Sequence, residues 1–417
     1  MNGCGEKEFP SGLLPKLSHL QVFVLQEWIP PITKEAQYVP ITVRGKEVGC
    51  LRKLESLVCH FEGYSDYVEY LKSRDETKSL TTYQIHVGLL DKYYNYYHYD
   101  FRRKTIVLGN LSIDRDRDFQ AMFSKDILSK DIKQLGIVNC DDATSLCDFW
   151  SLIKNATELE AIKISSCNNI ESLVSSSWFR SAPLPSPSYN GIFSGLKRFN
   201  CYGCKSMKKL FPLVLLPSLV NLKVIRVSDC EKMEEIIGGT RPDEEGVMGE
   251  ETSSSNIEFK LPKLGYLKLE GLPELKSICS AKLICDSIGV IEVKNCEKME
   301  EIISGTRSNE EGVMGEESSS SEFKLPKLRM LVLEGLPELK SICSAKLICN
   351  FLQFIRVENC ENLKRLSICL PLLENGQPSP PPSLEYIRVD SEEWWASVVE
   401  WEHPNAKDAL RPFVRFG

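Results

Sequence analysis

The chain has 417 residues, and its 51 Lys and Arg against 58 Asp and Glu give a formal net charge of −7 and a pI of about 5.6. Such a balance gives no overall attraction for nucleic acid or for an anionic membrane surface. No stretch approaches the roughly 18 apolar residues of a membrane-spanning helix, and the start MNGCGEKEFPSG lacks the apolar core of a signal peptide. These features predict a cytoplasmic protein.

One spacing of apolar residues recurs along the whole chain. Each unit has apolar side chains at positions 1, 4 and 6 and often Cys or Leu at position 9, as in Leu222, Ile225, Val227 and Cys230. Positions 4 and 6 of a short strand point to one side, and the residue between them points to the other. About thirteen such units indicate a repeat protein whose strands stack in parallel over a continuous apolar core.

Residues 1–130 are predicted to form irregular N-terminal repeats with an aromatic and basic insertion. The insertion, residues 93–104, reads YYNYYHYDFRRK. Aromatic rings beside cations could stack on the bases of a nucleic acid. They could equally form an exposed loop whose rings pack on the neighbouring coil, and the acidic chain around them favours the loop. Weak copies of the unit begin at Leu20, Leu54, Leu80 and Arg103.

Residues 131–390 are predicted to form regular repeats that contain a near-exact internal duplication. Residues 230–285 recur as residues 296–349, with an offset of 66 at Cys230 and 64 at Phe259. Long units of 40 and 42 residues alternate with units of 24. The additional residues of the long units, DEEGVMGEETSSS and NEEGVMGEESSSS, are too polar to bury much surface, so we expect loops in solvent.

Residues 391–417 are predicted to form a C-terminal cap. They contain Trp394, Trp395 and Trp401. The last core layer of an open solenoid needs a cover, and large aromatic side chains supply much area in few residues. A docking patch for a partner is the alternative interpretation.

The cysteines have a placement that favours buried thiols over disulfides or zinc. Many of the sixteen occupy position 9 of a unit, where a small apolar side chain fills the turn. The pair Cys201 and Cys204 lies within one repeat, with no second pair in reach for zinc. The position 9 cysteines are Cys140, Cys167, Cys204, Cys230, Cys296 and Cys360.

Motifs of catalysis are absent from the sequence. It contains no P-loop, no GxSxG and no HExxH, and its five histidines are scattered. We therefore predict a protein that is not an enzyme, with no catalytic, cofactor-binding or metal-binding residue and no cofactor of its own. The predicted fold class is an α/β leucine-rich-repeat solenoid of horseshoe shape, with parallel strands on the concave face and an irregular or short helical convex side.

Several long strings resemble the leucine-rich-repeat region of plant intracellular disease-resistance proteins of the coiled-coil, nucleotide-binding class. They include SGLLPKLSHLQVFVLQEW, DIKQLGIVNCDDATSLCD, LPKLRMLVLEGLPELKSIC and the tail EEWWASVVEWEHPNAKDALRPFVRF. The resemblance implies recognition of a pathogen effector, directly or through a guarded host protein. It also implies restraint of a nucleotide-binding switch. ADP or ATP would belong to that switch module, acting in cis or in trans, because no P-loop is present here.

Two other binding classes were weighed. A free-standing adaptor, such as the substrate-binding subunit of a ubiquitin ligase, would need a ligase-docking motif that neither end of the sequence shows. The ectodomain of a surface receptor would need a signal peptide and paired cap cysteines, and the sequence shows neither.

The candidate binding residues follow from the strand alternation. The side chains between and just after the buried pair should face outward on the concave face. Tyr and Arg are favoured as interface anchors. The residues predicted to bind a protein partner are Lys163, Tyr202, Arg226, Lys268, Glu292, Lys294, Glu334, Arg356, Glu358 and Arg388.

Overall fold

The chain folds into two compact units. Unit 1 comprises residues 1–170 with 177–196, and unit 2 comprises residues 171–176 with 197–417. The domain boundaries predicted at residues 130 and 390 stay predictions. The structure, a computed structural model, describes residues 8–29, 37–74, 80–88, 103–110, 130–149, 153, 155–174, 193–238, 258–279, 282–303, 322–398 and 400–417. Most of the aromatic insertion and both acidic segments of the long units lie outside these residues.

Unit 1 contains a ladder of parallel strands. Neighbouring strands pair in register, so that Ile106 stands beside Leu135 and Leu135 beside Ile162. All three side chains are at most 2% exposed. The strands of this ladder are β1 (Val22–Val24), β4 (Ser56–Phe61), β5 (Thr82–Val87), β6 (Thr105–Gly109), β7 (Gln134–Val138) and β8 (Ala161–Ser165).

Two helices and a hairpin accompany the ladder in unit 1. The hairpin consists of the antiparallel strands β2 (Gln26–Ile29) and β3 (Gln37–Pro40). The helices α1 (Gly45–Gly49) and α2 (Tyr64–Ser73) approach each other closely. A Cβ atom at Gly45 would lie 1.7 Å from the carbonyl oxygen of Asp66, so only glycine fits this crossing.

Unit 2 repeats the same construction with greater regularity. Ile225, Leu267, Ile291, Leu331, Ile355 and Ile387 stand in register across successive strands. Each points into the core and is at most 2% exposed. The strands of this ladder are β9 (Arg198–Tyr202), β11 (Val224–Ser228), β14 (Tyr266–Glu270), β17 (Val290–Lys294), β20 (Met330–Glu334), β23 (Phe354–Glu358), β26 (Tyr386–Val389) and β28 (Val414–Phe416).

The coils of unit 2 also carry short parallel strands away from the main ladder. The sequence predicted an irregular or short helical convex side. A unit of 24 residues leaves little room for a helix, and its segment SIC instead buries two of three side chains in a short strand. The segment EII of the long units forms a short strand with the same burial. The strands are β10 (Lys209–Phe211), β12 (Glu235–Ile237), β13 (Glu258–Lys260), β15 (Ser277–Cys279), β16 (Lys282–Ile284), β18 (Glu301–Ile303), β19 (Glu322–Lys324), β21 (Ser341–Cys343), β22 (Lys346–Ile348), β24 (Arg365–Leu366), β25 (Ile368–Cys369) and β27 (Glu400–Trp401).

The predicted core is confirmed in both units. In the reference unit, Leu222, Ile225, Val227 and Cys230 are 0–1% exposed. Full burial of such a side chain contributes roughly 1.5–3 kcal/mol, and conformational entropy offsets most of the sum. The leucine-rich-repeat solenoid class predicted from the spacing is therefore present in the structure.

In the two main ladders, most strands are followed by a residue in the left-handed conformation, a feature that was not predicted from the sequence. In the regular repeats this residue occupies position 8. Its N–H donates to the last carbonyl of the next strand, as from Asn295 to Glu334 at 2.8 Å and from Gly335 to Glu358 at 2.9 Å. Asn, Asp and Gly tolerate this conformation best, which explains their recurrence there. The residues with positive φ that follow a strand are Gly88, Asn110, Asn139, Ser166, Gly203, Asp229, Gly271, Asn295, Gly335 and Asn359.

Cysteine at position 9 has a second role besides filling the turn. The thiol of Cys296 donates to the carbonyl of Lys294 at 3.3 Å, and that of Cys360 to the carbonyl of Glu358 at 3.4 Å. Burial raises the pKa of both thiols to about 12, so neither is a nucleophile at neutral pH. The fourteen cysteines whose side chains the structure describes are free thiols.

The C-terminal residues add one strand to the main ladder that the repeat pattern did not predict. Strand β28 pairs in parallel with β26, and helix α3 (Ala406–Leu410) precedes it. Trp395 is 3% exposed, and its ring lies 5.9 Å from that of Trp401. The predicted cap thus contributes core side chains and a further rung of the ladder.

Candidate protein-binding face of unit 2

The strands of unit 2 bury alternate side chains. On the main-ladder strands β11, β14, β17, β20 and β23, the second and fourth residues are buried, and the first, third and fifth are partly exposed. The prediction that Arg226 and Arg356 face outward is therefore confirmed. We call the exposed side of this ladder the outward face; its side chains form three rows because the strands pair in register.

The first row, called the apolar row, is rich in apolar and aromatic side chains. Phe354 and Tyr386 are neighbours in register, with ring centroids 5.0 Å apart. Tyr386 is 39% exposed. This row was not predicted from the sequence, although its signal was available as an apolar residue two positions before Arg226, Lys268, Glu292, Arg356 and Arg388. The apolar row consists of Val224, Tyr266, Val290, Met330, Phe354 and Tyr386.

The middle and last rows carry charges that pair along and between strands. Lys268 forms an ion pair with Glu270 at 2.7 Å on its own strand, and this contact raises the pKa of the lysine. Lys294 reaches Glu334 on the next strand at 2.8 Å. Partly exposed pairs of this kind contribute roughly 0.2–1 kcal/mol each, so their main effect is to hold the charges in fixed positions.

Aromatic side chains connect the apolar row to the charges. The guanidinium of Arg226 lies 4.8 Å from the ring centroid of Tyr266. The hydroxyl of Tyr266 donates to Glu292 at 3.1 Å. Tyr202 is 51% exposed, and partial burial together with the charge of Asp229 raises the pKa of its hydroxyl. These contacts orient Arg226, Glu292 and Tyr202 toward a common surface.

At the C-terminal end of the face, one carboxylate lies between two arginines. Glu358 Oε2 is 2.6 Å from Arg356 Nη2, and Glu358 Oε1 is 2.6 Å from Arg388 Nε. The hydrogen bond from Arg356 is the largest cause that lowers the pKa of Glu358, so this carboxylate stays ionised. Arg388 nevertheless keeps 48% of its side chain exposed.

Lys163 differs from the other predicted binding residues. It lies on β8 of unit 1, where all five side chains are buried, and it is 7% exposed. Burial lowers the pKa of its ammonium to about 8. The expectation that Lys163 is an exposed side chain is wrong, because this strand is buried on both faces. The other nine predicted residues all lie on the outward face of unit 2.

The outward face offers contact area, aromatic rings and fixed charges. Within the described ranges, no group of three or more His, Cys, Asp and Glu side chains is placed to hold a metal ion. No helix in the part of the chain that the structure describes is long and apolar enough to cross a bilayer. A surface with these properties suits a protein partner, since interfaces are enriched in Tyr, Phe, Met and Arg.

Comparison with protein families finds part of the chain similar to the repeats of plant resistance proteins. A family model described as "Plant disease resistance protein RPS2-like, leucine-rich repeats" matches residues 180–286 and 284–369. The match begins in unit 1, includes much of the outward face and spans the duplicated block. It ends before strands β26 and β28.

Two curated relatives from Arabidopsis thaliana point the same way. The chain is 31% identical over 112 residues to the probable disease resistance protein At4g27220, covering 26% of this chain and 11% of the relative. It is 30% identical over 131 residues to the probable disease resistance protein At5g47260, covering 31% of this chain and 12% of the relative. The aligned segments thus span about a tenth of the length of these relatives.

Among solved structures, a leucine-rich repeat domain of the type III effector XopL is similar at 17% identity. The match covers 56% of this chain and 72% of that chain, with a TM-score of 0.28. The repeat spacing, the parallel ladders and the family match agree with one another. Across residues 180–369 the chain is therefore similar to the RPS2-like leucine-rich repeats of plant disease resistance proteins, in agreement with the resemblance seen in its sequence.

Proposed function

We propose that the chain is a non-enzymatic recognition and regulatory module of a plant innate immune receptor. In this proposal it senses a pathogen effector, directly or through a guarded host protein, inside the cell. It also restrains a nucleotide-binding switch that binds ADP or ATP and acts in cis or in trans.

The observation that carries the proposal is the outward face of unit 2. An apolar row, with Tyr386 39% exposed, runs beside charged rows whose side chains are held by ion pairs. Contiguous exposed apolar side chains rimmed by charges are typical of protein interaction sites. Repeat proteins present extended surfaces of this kind, and leucine-rich repeats typically bind other proteins rather than catalyse reactions.

A photo-cross-linking experiment tests the recognition half of the proposal. A photoreactive amino acid replaces Met330 or Tyr386 on the outward face, and the chain is expressed in leaf cells with and without a pathogen. Replacement of Leu372 or Leu373, which are 60% and 52% exposed outside the outward face, supplies the matched control. The proposal expects an effector or host protein to be cross-linked from the outward positions and not from the control positions.

Two outcomes would overturn this half of the proposal. Cross-links confined to Leu372 and Leu373 would place the binding surface elsewhere. Recovery of ubiquitin-ligase subunits as the main cross-linked partners would favour the adaptor class.

Restraint of the switch needs a separate test. The chain is co-expressed in leaves with a constitutively active nucleotide-binding switch module of a resistance receptor. We expect less cell death, measured as ion leakage, than with a chain carrying Leu333→Asp, which destroys the core of unit 2. Equal leakage with both chains would contradict the regulatory role.

A further inference from the structure

We propose that the C-terminal end of the outward face binds an acidic, extended segment of a protein partner. The site consists of Arg356, Arg388 and Arg415 in the middle row, with Phe354 and Tyr386 beside them, and is called the arginine end. This inference rests on the proposed recognition role of the face and adds the chemistry of the partner.

Three arginines on neighbouring strands of the arginine end stand in register. Arg356 stands beside Arg388, and Arg388 stands beside Arg415, on β23, β26 and β28. Neighbouring strands are about 4.8 Å apart, and like charges directly opposite each other destabilise a sheet. Three arginines therefore occupy neighbouring register positions at one end of the face, an arrangement that stability alone does not favour.

The carboxylates near the arginine end satisfy these guanidiniums only in part. Glu358 uses its two oxygens on Arg356 and Arg388, at 2.6 Å each. Asp390 accepts the backbone N–H of Asn359 at 3.1 and 2.9 Å. Arg415 donates to the carbonyl oxygens of Pro412 and Val414 at 3.3 and 3.1 Å, and it has no ion pair among the described residues. A carboxylate from a partner would relieve the repulsion.

Elsewhere the outward face compensates its cations. Lys268 stands in register with Glu292 and Lys294 with Glu334, so opposite charges are neighbours. Arg226 stands beside another cation, Lys268, but it lies against the ring of Tyr266. The arginine end therefore has the strongest unmet preference for anions among the described residues of this face.

The apolar row defines the spacing of the partner. Phe354 and Arg356 are two residues apart on one strand, as are Tyr386 and Arg388, which corresponds to about 7 Å. On an extended partner segment, side chains at i and i+2 also share a face. A segment with an apolar residue followed two positions later by Asp or Glu would place its side chains on the rings and guanidiniums together.

Fluorescence anisotropy with a designed peptide tests this inference. The probe is a fluorescein-labelled peptide of three Leu-Ser-Glu-Ser repeats, and the control peptide has Gln in place of Glu. We expect the full chain to bind the Glu peptide about tenfold tighter than the Gln peptide at low salt, a preference of about 1.4 kcal/mol. Because exposed charges are screened, the preference should shrink at high salt.

Variants locate the binding site. The double variant Arg388→Glu with Arg415→Glu should lose the preference for the Glu peptide and keep the wild-type melting temperature. Lys232→Glu with Lys364→Glu changes the net charge equally at exposed positions outside the outward face and should keep the preference. Equal binding of both peptides by the wild type, or equal loss in the two double variants, would overturn the arginine end as an acidic-peptide site.

Two further measurements distinguish an acidic peptide from a nucleic acid or a second copy of the chain as the ligand of the arginine end. Competition of the Glu peptide by an oligouridylate at lower concentration than by unlabelled peptide would identify a nucleic-acid site and contradict the inference. Self-association that blocks the peptide, measured by analytical ultracentrifugation, would identify a second copy as the occupant. Cross-links from Met330 and Tyr386 without any Glu preference would leave the recognition role standing and remove only the acidic-peptide inference.

Discussion

The two units have the same arrangement of buried core residues on their strands. They differ in how far the side chains that point away from this core are buried. In unit 1, strands β6, β7 and β8 bury all five of their residues. In unit 2, strands β11, β14, β17, β20 and β23 bury only the second and fourth. Among these eight strands, only those of unit 2 leave alternate side chains partly exposed.

The difference follows from the residue types at the outward positions. In unit 1 most of these positions hold small or neutral side chains, such as Thr105, Val107 and Gln134, which are at most 2% exposed. On β6, β7 and β8 the charged exception is Lys163, which is 7% exposed. In unit 2 the corresponding positions hold Arg226, Lys268 and other charged residues. A parallel sheet buried on both faces reads as a nearly continuous run of uncharged residues, whereas a half-exposed one alternates. The repeat spacing alone does not distinguish the two cases.

The largest expected effect comes from placing one charge at matched outward positions of the two units. Val107→Glu introduces a carboxylate at a site that is 0% exposed in unit 1, and it should cost roughly 3–5 kcal/mol, as an uncompensated buried charge does. Val332→Glu, at the partly exposed middle row of unit 2, should change stability by about 0.5 kcal/mol. Urea unfolding followed by circular dichroism measures both.

Val107→Ala controls for lost packing at the same site. It should cost less than the Glu substitution, because it removes methyl groups without burying a charge. If Val107→Glu and Val332→Glu are equally tolerated, the difference between the two units does not exist.

The next effect concerns acid sensitivity, which should come mainly from unit 1. Burial lowers the pKa of His86 to about 3 from its usual value of 6.5. Between these two pH values the unfolded chain binds a proton that the native chain does not. Stability should therefore fall as pH decreases below 6.5, by up to about 1.4 kcal/mol per pH unit.

His86→Leu should weaken this pH dependence, and the measurement is the unfolding free energy at pH 7.5 and pH 5.5. His19→Leu, which removes an exposed imidazole, should keep the wild-type dependence. An unchanged pH dependence in His86→Leu would show that His86 is accessible to protons in the native state.

The smallest expected effect is the loss of stability on replacing the left-handed residue after a strand, and it should be equal in the two units. Asn139 in unit 1 and Asn359 in unit 2 both have a φ of 52° after their strands. Replacement by Ala should cost about 1 kcal/mol at each site, because a Cβ without a compensating polar group disfavours this conformation. Asn→Gly at the same positions should be nearly neutral, and a neutral Asn359→Ala would argue against the strand-ending turn.

Much of the fold could be predicted from the sequence, because local spacing determines it. Ile225 and Val227 are two residues apart on a short strand, so both side chains point into the core. The side chain of Arg226 between them must therefore point outward. The apolar row at Met330 and Phe354 was not predicted, because only the residues between and just after the two buried residues of each strand were expected to face outward. The ion pair between Lys294 and Glu334 could not be predicted from the sequence, because it depends on the register of two strands that are 40 residues apart in the chain.

The burial of Lys163 could not be predicted from its own repeat. Its unit has the same spacing as the units of the exposed ladder, and whether a second layer covers a strand depends on residues distant in the chain. The neutral side chains at 105, 107 and 134 were the available signal.

Amine labelling of the native chain tests the central claim most directly. A brief treatment with an acetylating reagent, followed by mass spectrometry, compares Lys163 of unit 1 with Lys268 of unit 2, whose side chain is 31% exposed. We expect Lys268 to be modified and Lys163 to stay protected until the chain unfolds, despite its lowered pKa. Modification of Lys163 at the same rate as Lys268 would show that both outward faces are accessible and would contradict the account.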